Sequence, residues 1–348
     1  MKILAFESSC DETAAAVVED GRRVLSDAIA SQVDMHRLYG GVVPEIASRA
    51  HVENIAALTE QALQDAGCTR SDIDAVAVTY APGLIGALLV GVSFAKSMAF
   101  SLGVPLIPVH HIRGHIAANY LAFPELEPPF LALAVSGGNT LLIDVEDYTR
   151  LRVLGSTRDD AAGECFDKAA RVLGLPYPGG KPMDDLARQS PGGVYPMPRP
   201  QVDGAPLDMS FSGLKTAVVN LAHHAEQTGK PLDRAALARD FTEAVRDILV
   251  PRAMEAARLT GRHTLCAAGG VAANSFIRAG LEAACREAGY KLYLPPPRLC
   301  GDNGAMIGAQ GYYEYLAGCR AGMGLNAYAT RDVGADFRAS FSTAAGSC

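Results

Sequence analysis

KILAFESSCDETAAAVVEDGRRVLSD, residues 2–27, sets out an apolar run, a turn of small polar residues, a second apolar run, an acidic turn and a third run. Runs of this length with such turns between them predict three strands joined as a meander. Residues 130–156, FLALAVSGGNTLLIDVEDYTRLRVLGS, repeat the order, with SGGNT in the place of SSCDET and VEDYTR in the place of VEDGRR. Two such meanders, each followed by helical and short apolar stretches, predict an α/β chain of two similar lobes facing each other.

The segments that follow each meander support a duplication. In the first half, residues 44–67 read as a helix, DAVAVTY as a strand, LIGALLVGVSFAKSMAFSLG as a helix and VPLIPV as a strand. In the second half, DDAAGECFDKAARVLG and residues 213–228 and 235–258 read as helices, HTLCAAG as a strand, AANSFIRAGLEAACREAG as a helix and KLYLP as a strand. The Pro- and Gly-rich stretch 174–206 reads as an irregular loop with a short helix at the mouth of the cleft. The expected boundaries are 1–127 for the first lobe, completed by about 302–330, and 128–301 for the second, with a small, polar, frayed tail over 331–348.

A chain of 348 residues is long enough for two cores, and its formal net charge of −7 offers no global positive field to a nucleic acid. Any RNA contact must be local or shared, through basic side chains such as Arg49, Lys96 or Lys181. Eight cysteines, at 10, 68, 165, 266, 285, 300, 319 and 348, form no C-x-x-C pair, and MKILAFESS has no apolar signal core. Both features predict a cytoplasmic protein. Residues 75–95 carry no charge, but Pro82 and three glycines interrupt them. They read as a buried strand followed by a buried helix, not as a membrane span.

HHIRGH, residues 110–115, gathers three of the eight histidines at the start of a helix-like stretch. His111 and His115, four apart, fall on one helix face and can aim two imidazoles at one ion, with His110 turned away. A third ligand has to come from elsewhere. The turns SSCDET and SGGNT have the small residues that let backbone N–H groups cradle a phosphate. AAGGVAAN opens a helix, where Gly269 and Gly270 permit close approach and Asn274 offers a side-chain amide. PRLCGDNGAM places Asp302 and Asn303 before a final helix. SFSGLKT, residues 210–216, reads either as an anion loop with Lys215 or as a plain helix start.

FESSCDET, the His111/His115 pair, VSGGNT, AAGECFDKAAR, YPGG, SFSGLKT, AGGVAAN and GDNGAMI occur in this order across nearly the whole chain. Together they resemble the universal tRNA threonylcarbamoyladenosine transferase family in its bacterial type. The resemblance implies the actin/Hsp70/sugar-kinase (ASKHA) fold of two duplicated lobes with an interlobe nucleotide cleft. It further implies a metal held by His111, His115 and Asp302, one Fe²⁺ per subunit with Zn²⁺ as the other option. Two imidazoles and a carboxylate suit either ion. Part of that family has a tyrosine ligand immediately before VSGGN; Ala134 stands at that position here, so the place falls to water, phosphate or Ser9.

The resemblance also implies substrate contacts from Val135, Ser136, Gly137, Gly138 and Asn139, from Asp167, Gly180 and Asn274, and from Asp184, an acid suited to ribose hydroxyls. GGKP stands where the family often has GGP, which leaves the path after Gly180 open at Lys181. The implied activity is acyl transfer: threonylcarbamoyl-AMP donates its acyl group to N6 of adenosine 37 in tRNAs reading ANN codons. Asp11, or after it Glu12, is the nearest candidate to accept the amine proton. The implied partners are tRNA, an inactive paralogue (TsaB) that dimerises through the N-terminal lobe, and a P-loop ATPase (TsaE). A kinase-like or chaperone-like ATPase fits the fold, but such proteins use carboxylates and Mg²⁺ and need no histidine pair. A metalloprotease needs a glutamate after the first histidine, where Ile112 stands. A non-catalytic scaffold is disfavoured by the intact His111, His115 and Asp302.

Overall fold

β1 (Lys2–Glu7), β2 (Glu12–Glu19) and β3 (Arg23–Ser31) form the first meander, followed by α1 (Val33–Arg37), α2 (Pro44–Asp65), β4 (Ala75–Ala81), α3 (Ile85–Leu102), β5 (Leu106–His110) and α4 (His111–Ala122). The second copy runs β6 (Phe130–Val135), β7 (Thr140–Val145), β8 (Leu151–Ser156), α5 (Ala162–Val172), α6 (Gly180–Ala187), α7 (Ser212–Thr228), α8 (Arg234–Thr260), β9 (Thr264–Ala268), α9 (Ser275–Ala288) and β10 (Lys291–Tyr293), and α10 (Gly304–Leu316) ends the series. These elements come from a computed structural model that describes residues 1–335. The two sheets have the orders β3-β2-β1-β4-β5 and β8-β7-β6-β9-β10, the same order with every number raised by five. The duplication read from the two meanders is therefore a duplication of topology.

β1 pairs antiparallel with β2 and parallel with β4, and β2 pairs antiparallel with β3, so the first sheet is mixed. β9 runs parallel to both β6 and β10. The described residues divide into two compact units, 1–128 with 145–152 and 301–335, and 129–144 with 153–300. Each has its own apolar core. One gathers Leu4, Phe6, Val17, Val76, Val78, Leu88 and Val92, and the other Leu131, Leu133, Phe166, Phe241, Ile248 and Leu265.

Glycine spacing decides where α10 lies. Gly304, Gly308 and Gly311 fall on one helix face, and that face rests directly on the first sheet. A Cβ on Gly304 would sit 2.9 Å from Ala16, one on Gly308 2.6 Å from Val18, and one on Gly311 2.7 Å from Ala77. No side chain fits there without moving the helix. Asp302, two residues before the helix, is thereby fixed against the end of that sheet.

Three expectations change. A short helix, α1, stands where no element was read, and its Gln32 and His36 are buried and bonded to each other at 3.1 Å. α3, expected to be buried, covers the core with Ala87, Leu88, Gly91, Val92, Ala95 and Ala99, yet it exposes Ile85, Leu89 and Phe100, the last 77% exposed. It is long and apolar enough to pass a membrane-span count, and one face packs on its own sheet. The tail expected over 331–348 lies, for residues 336–348, outside the described residues. Its first five residues are tied down: the Val333 carbonyl accepts two hydrogen bonds from the buried Arg113 guanidinium, and the Arg331 carbonyl bonds His110 Nε2.

Candidate metal centre

Every residue of HHIRGH has a distinct task. His110 is the N-cap of α4: its Nδ1 accepts the Ile112 N–H at 3.2 Å, so it points away from its two neighbours as expected. Burial holds His110 in its neutral form, with its pKa pushed down to about 3. Ile112 is buried in the core. Arg113, also buried, pairs with Glu314 of α10 at 2.8 Å. A Cβ on Gly114 would lie 2.7 Å from Ile307 of α10, so α4 and α10 approach closely at this point. That approach delivers His111 and His115 to Asp302.

Asp302 Oδ1 lies 3.5 Å from His111 Nε2 and 3.2 Å from His115 Nε2. The imidazoles stand edge to face, with centroids 4.5 Å apart. All three ligand atoms fall within 4.8 Å of one another. Although His115 Nε2 is close to the carboxylate, neither nitrogen of this buried ring makes a hydrogen bond among the described residues. Two buried nitrogens with no partner cost free energy unless something else engages them. A divalent cation does so for Nε2, and the N,N,O set with open positions fits Fe²⁺ or Zn²⁺. Burial pulls the His111 pKa down, but the Asp302 and Glu7 carboxylates outweigh it and leave it up at about 9. For Asp302, burial works upward and the two histidines work more strongly downward, to about 2.

Behind His111 stands a residue that sequence reasoning missed. Glu7, the last residue of β1, is fully buried. It accepts hydrogen bonds from the Ser9 N–H at 2.5 Å, the Thr79 hydroxyl at 2.7 Å and His111 Nδ1 at 2.9 Å. The available signal was a carboxylate closing the apolar run ILAF of β1. Ser9, offered as a possible ligand, instead places its hydroxyl 3.1 Å from His111 Nδ1. Asp11 is buried in the adjoining turn, and Glu12 receives the Ser31 hydroxyl at 3.2 Å. Burial first, then the Asp302 and Asp11 charges, push the Glu12 pKa up to about 9.

The glycine turns behave differently from one another. In SSCDET the Ser9 N–H is taken by Glu7 and the Ser8 hydroxyl by the Ala87 carbonyl, so the first turn is closer to an ordinary hairpin than to an open cradle. SGGNT keeps that character. The Ser136 N–H closes the turn on the Asn139 carbonyl at 2.8 Å, while Gly137 and Gly138 are exposed, with open space where a Cβ would be. Gly269, at φ +89°, passes under this turn so closely that a Cβ would strike the Val135 carbonyl. The AGGVAAN and VSGGNT turns are thus adjacent. Asn274 caps α9, its Oδ1 accepting the Phe276 and Ile277 N–H groups at 3.0 and 3.1 Å. Its Nδ2, buried, has no partner among the described residues and remains available as a donor.

Asp167 accepts the Gly179 N–H at 2.7 Å and so holds the YPGG turn. Gly180 begins α6, and Lys181 extends outward to Asp185 at 2.6 Å, which shows how GGKP is accommodated. Asp184, expected at ribose hydroxyls, is already engaged by the Ser275 N–H and hydroxyl at 3.0 and 2.7 Å and by Arg188. SFSGLKT is the plain helix start of its two readings. Asp159 accepts the Phe211 N–H and the Ser210 and Ser212 hydroxyls at 2.7, 2.5 and 2.7 Å, and its charge disfavours an anion there.

Comparison with solved structures defines the class. The chain superposes on T. kodakarensis HypF with a TM-score of 0.61 and 15% identity over 91% of this chain and 48% of that one. It also superposes on the Acidaminococcus fermentans (R)-2-hydroxyglutaryl-CoA dehydratase component A, with a TM-score of 0.53 and 14% identity over 91% and 99%. At such identities the likeness shows the fold alone, which is of the actin/Hsp70/sugar-kinase class. A family model described as TsaD, tRNA N6-adenosine threonylcarbamoyltransferase, matches residues 23–309. Relatives of that name include one from Moorella thermoacetica, 56% identical over 93% of this chain and 95% of the relative, and one from Clostridium botulinum, 48% identical over 96% and 98%. The chain belongs to the TsaD family of tRNA N6-adenosine threonylcarbamoyltransferases.

Proposed function

We propose that this protein transfers the threonylcarbamoyl group of threonylcarbamoyl-AMP to N6 of adenosine 37 in ANN-reading tRNAs, in the cytoplasm. The observation that carries the reading is the convergence of His111, His115 and Asp302 in a chain of this family. In the transfer, N6 attacks the carbamoyl carbon, the bond from that carbon to the phosphate oxygen breaks, AMP leaves, and the amine proton passes to a base. A divalent cation at the centre supplies positive charge for a phosphate leaving group.

The chain's own residues supply the remainder. Burial and the Asp302 and Asp11 charges push the Glu12 carboxyl toward its protonated form in the metal-free site, which disfavours it as a base. Asp11 is therefore the proton acceptor of this reading. SGGNT receives the nucleotide phosphate on backbone N–H groups, and Asn274 Nδ2 donates to the adenosine end. Asp167 acts by shaping the YPGG turn, with Gly180 free of side-chain bulk beside it. Asp184, held by Ser275, is placed to accept from ribose hydroxyls.

The apolar residues Ile85, Leu89 and Phe100 on α3, which packs beside α2, fit a paralogue that dimerises through the first unit. A P-loop ATPase completes the set of partners. The test combines purified protein, both partners, threonylcarbamoyl-AMP and an ANN-decoding tRNA, with mass spectrometry of the digested nucleosides. The expected product is threonylcarbamoyl-adenosine formed only with the intact metal ligands. Unmodified tRNA from a fully metal-loaded assembly overturns the reading.

A further inference from the structure

Glu7 lies behind the candidate ligand His111, on the side away from Asp302, and none of the roles above uses it. A carboxylate with no exposed surface is held there by three donors. Its oxygens divide the work: Oε1 takes the Ser9 N–H, and Oε2 takes the Thr79 hydroxyl and His111 Nδ1. An ionised carboxylate only accepts, so the hydrogen of that last bond sits on Nδ1. The lone pair of a neutral His111 then falls on Nε2, the nitrogen that faces Asp302 at 3.5 Å. Were Nδ1 the bare nitrogen, it would meet the carboxylate and Nε2 would carry the hydrogen into the ligand cluster.

We infer that Glu7 is the positioning residue of the metal centre, holding His111 in the Nδ1–H tautomer that presents Nε2 to a divalent cation. With Asp302 it also brings two negative charges to the site, matching one divalent cation in a buried setting. The inference rests on His111, His115 and Asp302 being ligands. A purely structural role for Glu7, bracing the Ser8–Asp11 turn through Oε1, is the competing account.

Zinc affinity, measured by competition with a chromophoric chelator, separates the two without any transferase assay. Glu7→Gln keeps the shape and one acceptor but loses the charge, and it is expected to weaken zinc binding by about 10-fold; Glu7→Val, by about 100-fold. Thr79→Val removes a donor from the same oxygen and leaves the carboxylate on His111; its affinity is expected to stay within about 3-fold. With Co²⁺ in place of zinc, Glu7→Gln is expected to retain a d–d spectrum of wild-type ligand number at lower occupancy. Wild-type zinc affinity in Glu7→Gln, alongside loss of binding in His115→Ala, overturns the inference and leaves Glu7 a structural brace. Wild-type affinity in His115→Ala and Asp302→Ala refutes instead the ligand set on which it rests.

Discussion

Glu7 closes β1 where Val135 closes β6, and around these matched positions the two copies of one topology do different chemistry. In both copies a glycine of a later turn runs beneath the first turn. A Cβ on Gly83 would lie 2.5 Å from the Ser9 carbonyl, and one on Gly269 would strike the Val135 carbonyl. The backbone plan is shared. In the first copy the buried carboxylate draws the Ser9 N–H inward and braces His111, so the turn closes and supports a cation site. In the second, an apolar residue leaves SGGNT facing outward with its glycines exposed, suited to an anion. On the proposed reading, one side chain per copy thus accompanies opposite choices of ligand charge.

The largest expected effect comes from giving the second copy the first copy's carboxylate. Val135 is 2% exposed and belongs to the second unit's apolar core, so Val135→Glu buries a charge among apolar side chains. A loss of about 3–5 kcal/mol in unfolding free energy is expected, read from urea denaturation. A loss under about 1 kcal/mol would mean that the second turn can accept a carboxylate, and that the difference between the copies is not set by this residue.

Next in size is removal of a ligand. His115→Ala is expected to weaken zinc binding by more than about 100-fold, above the range typical of residues that only support a ligand. Unfolding should stay cooperative, because neither ring nitrogen makes a hydrogen bond among the described residues. Full occupancy at stoichiometric zinc in a His111→Ala, His115→Ala protein would remove the first copy's side of the comparison.

Asn274 tests the second copy's side. Replacement by alanine would confuse a lost cap with a lost donor, since Oδ1 caps α9 while Nδ2 has no partner among the described residues. Asn274→Asp keeps a good cap while replacing the donor with a charged group that can only accept. Adenylate binding by calorimetry is expected to weaken by about 1–3 kcal/mol, with thermal stability nearly unchanged. Unaltered affinity would place the adenosine end elsewhere.

A smaller effect is a pH dependence peculiar to the first copy. His111 has its pKa raised from the ordinary histidine value to about 9, so the proton's contribution to the metal-free fold is complete below about pH 6.5 and lost as pH rises through about 9. A cation competes with that proton. Zinc affinity should therefore rise with pH by up to about tenfold per unit, flattening near pH 9. Adenylate binding to the second copy should not follow that curve.

How far these differences were legible in the sequence depended on range. The two meanders and the helices after them were legible because strand runs, turn residues and helix periodicity are local signals. HHIRGH offered a candidate ligand pair by its four-residue spacing, and the resemblance supplied Asp302 as the third. Glu7 did not announce its part, since that depends on Thr79 and His111, 72 and 104 residues away. Asp159, which takes up the SFSGLKT loop from 51 and 53 residues off, was hidden for the same reason. Asp184's bonds to Ser275, 91 residues away, were hidden because a carboxylate's composition says nothing about which backbone N–H it holds. Helix α3 looked wholly buried because apolar composition does not distinguish a core face from a face left for a partner.

The smallest effects should attend tRNA, since the sequence has a net charge of −7 and no basic run. Of the three basic residues expected to contact it, Lys96 donates to the Leu325 carbonyl at 2.8 Å and Lys181 pairs with Asp185, leaving Arg49 exposed. A lysine already neutralised by a neighbouring carboxylate releases few counterions when a phosphate arrives. Lys181→Ala should therefore change tRNA affinity by less than about twofold. For the isolated chain, log K against log salt should have a slope of about −2 or shallower, the signature of two or three phosphates neutralised. Adding the paralogue and the ATPase should steepen that slope and raise the affinity, because their basic groups join the contact. Filter-binding titrations at several salt concentrations, with and without the partners, measure both quantities. A steep slope from the isolated chain would mean that this fold gathers a basic surface from residues scattered along an acidic sequence, and the search for it would then begin at Arg49.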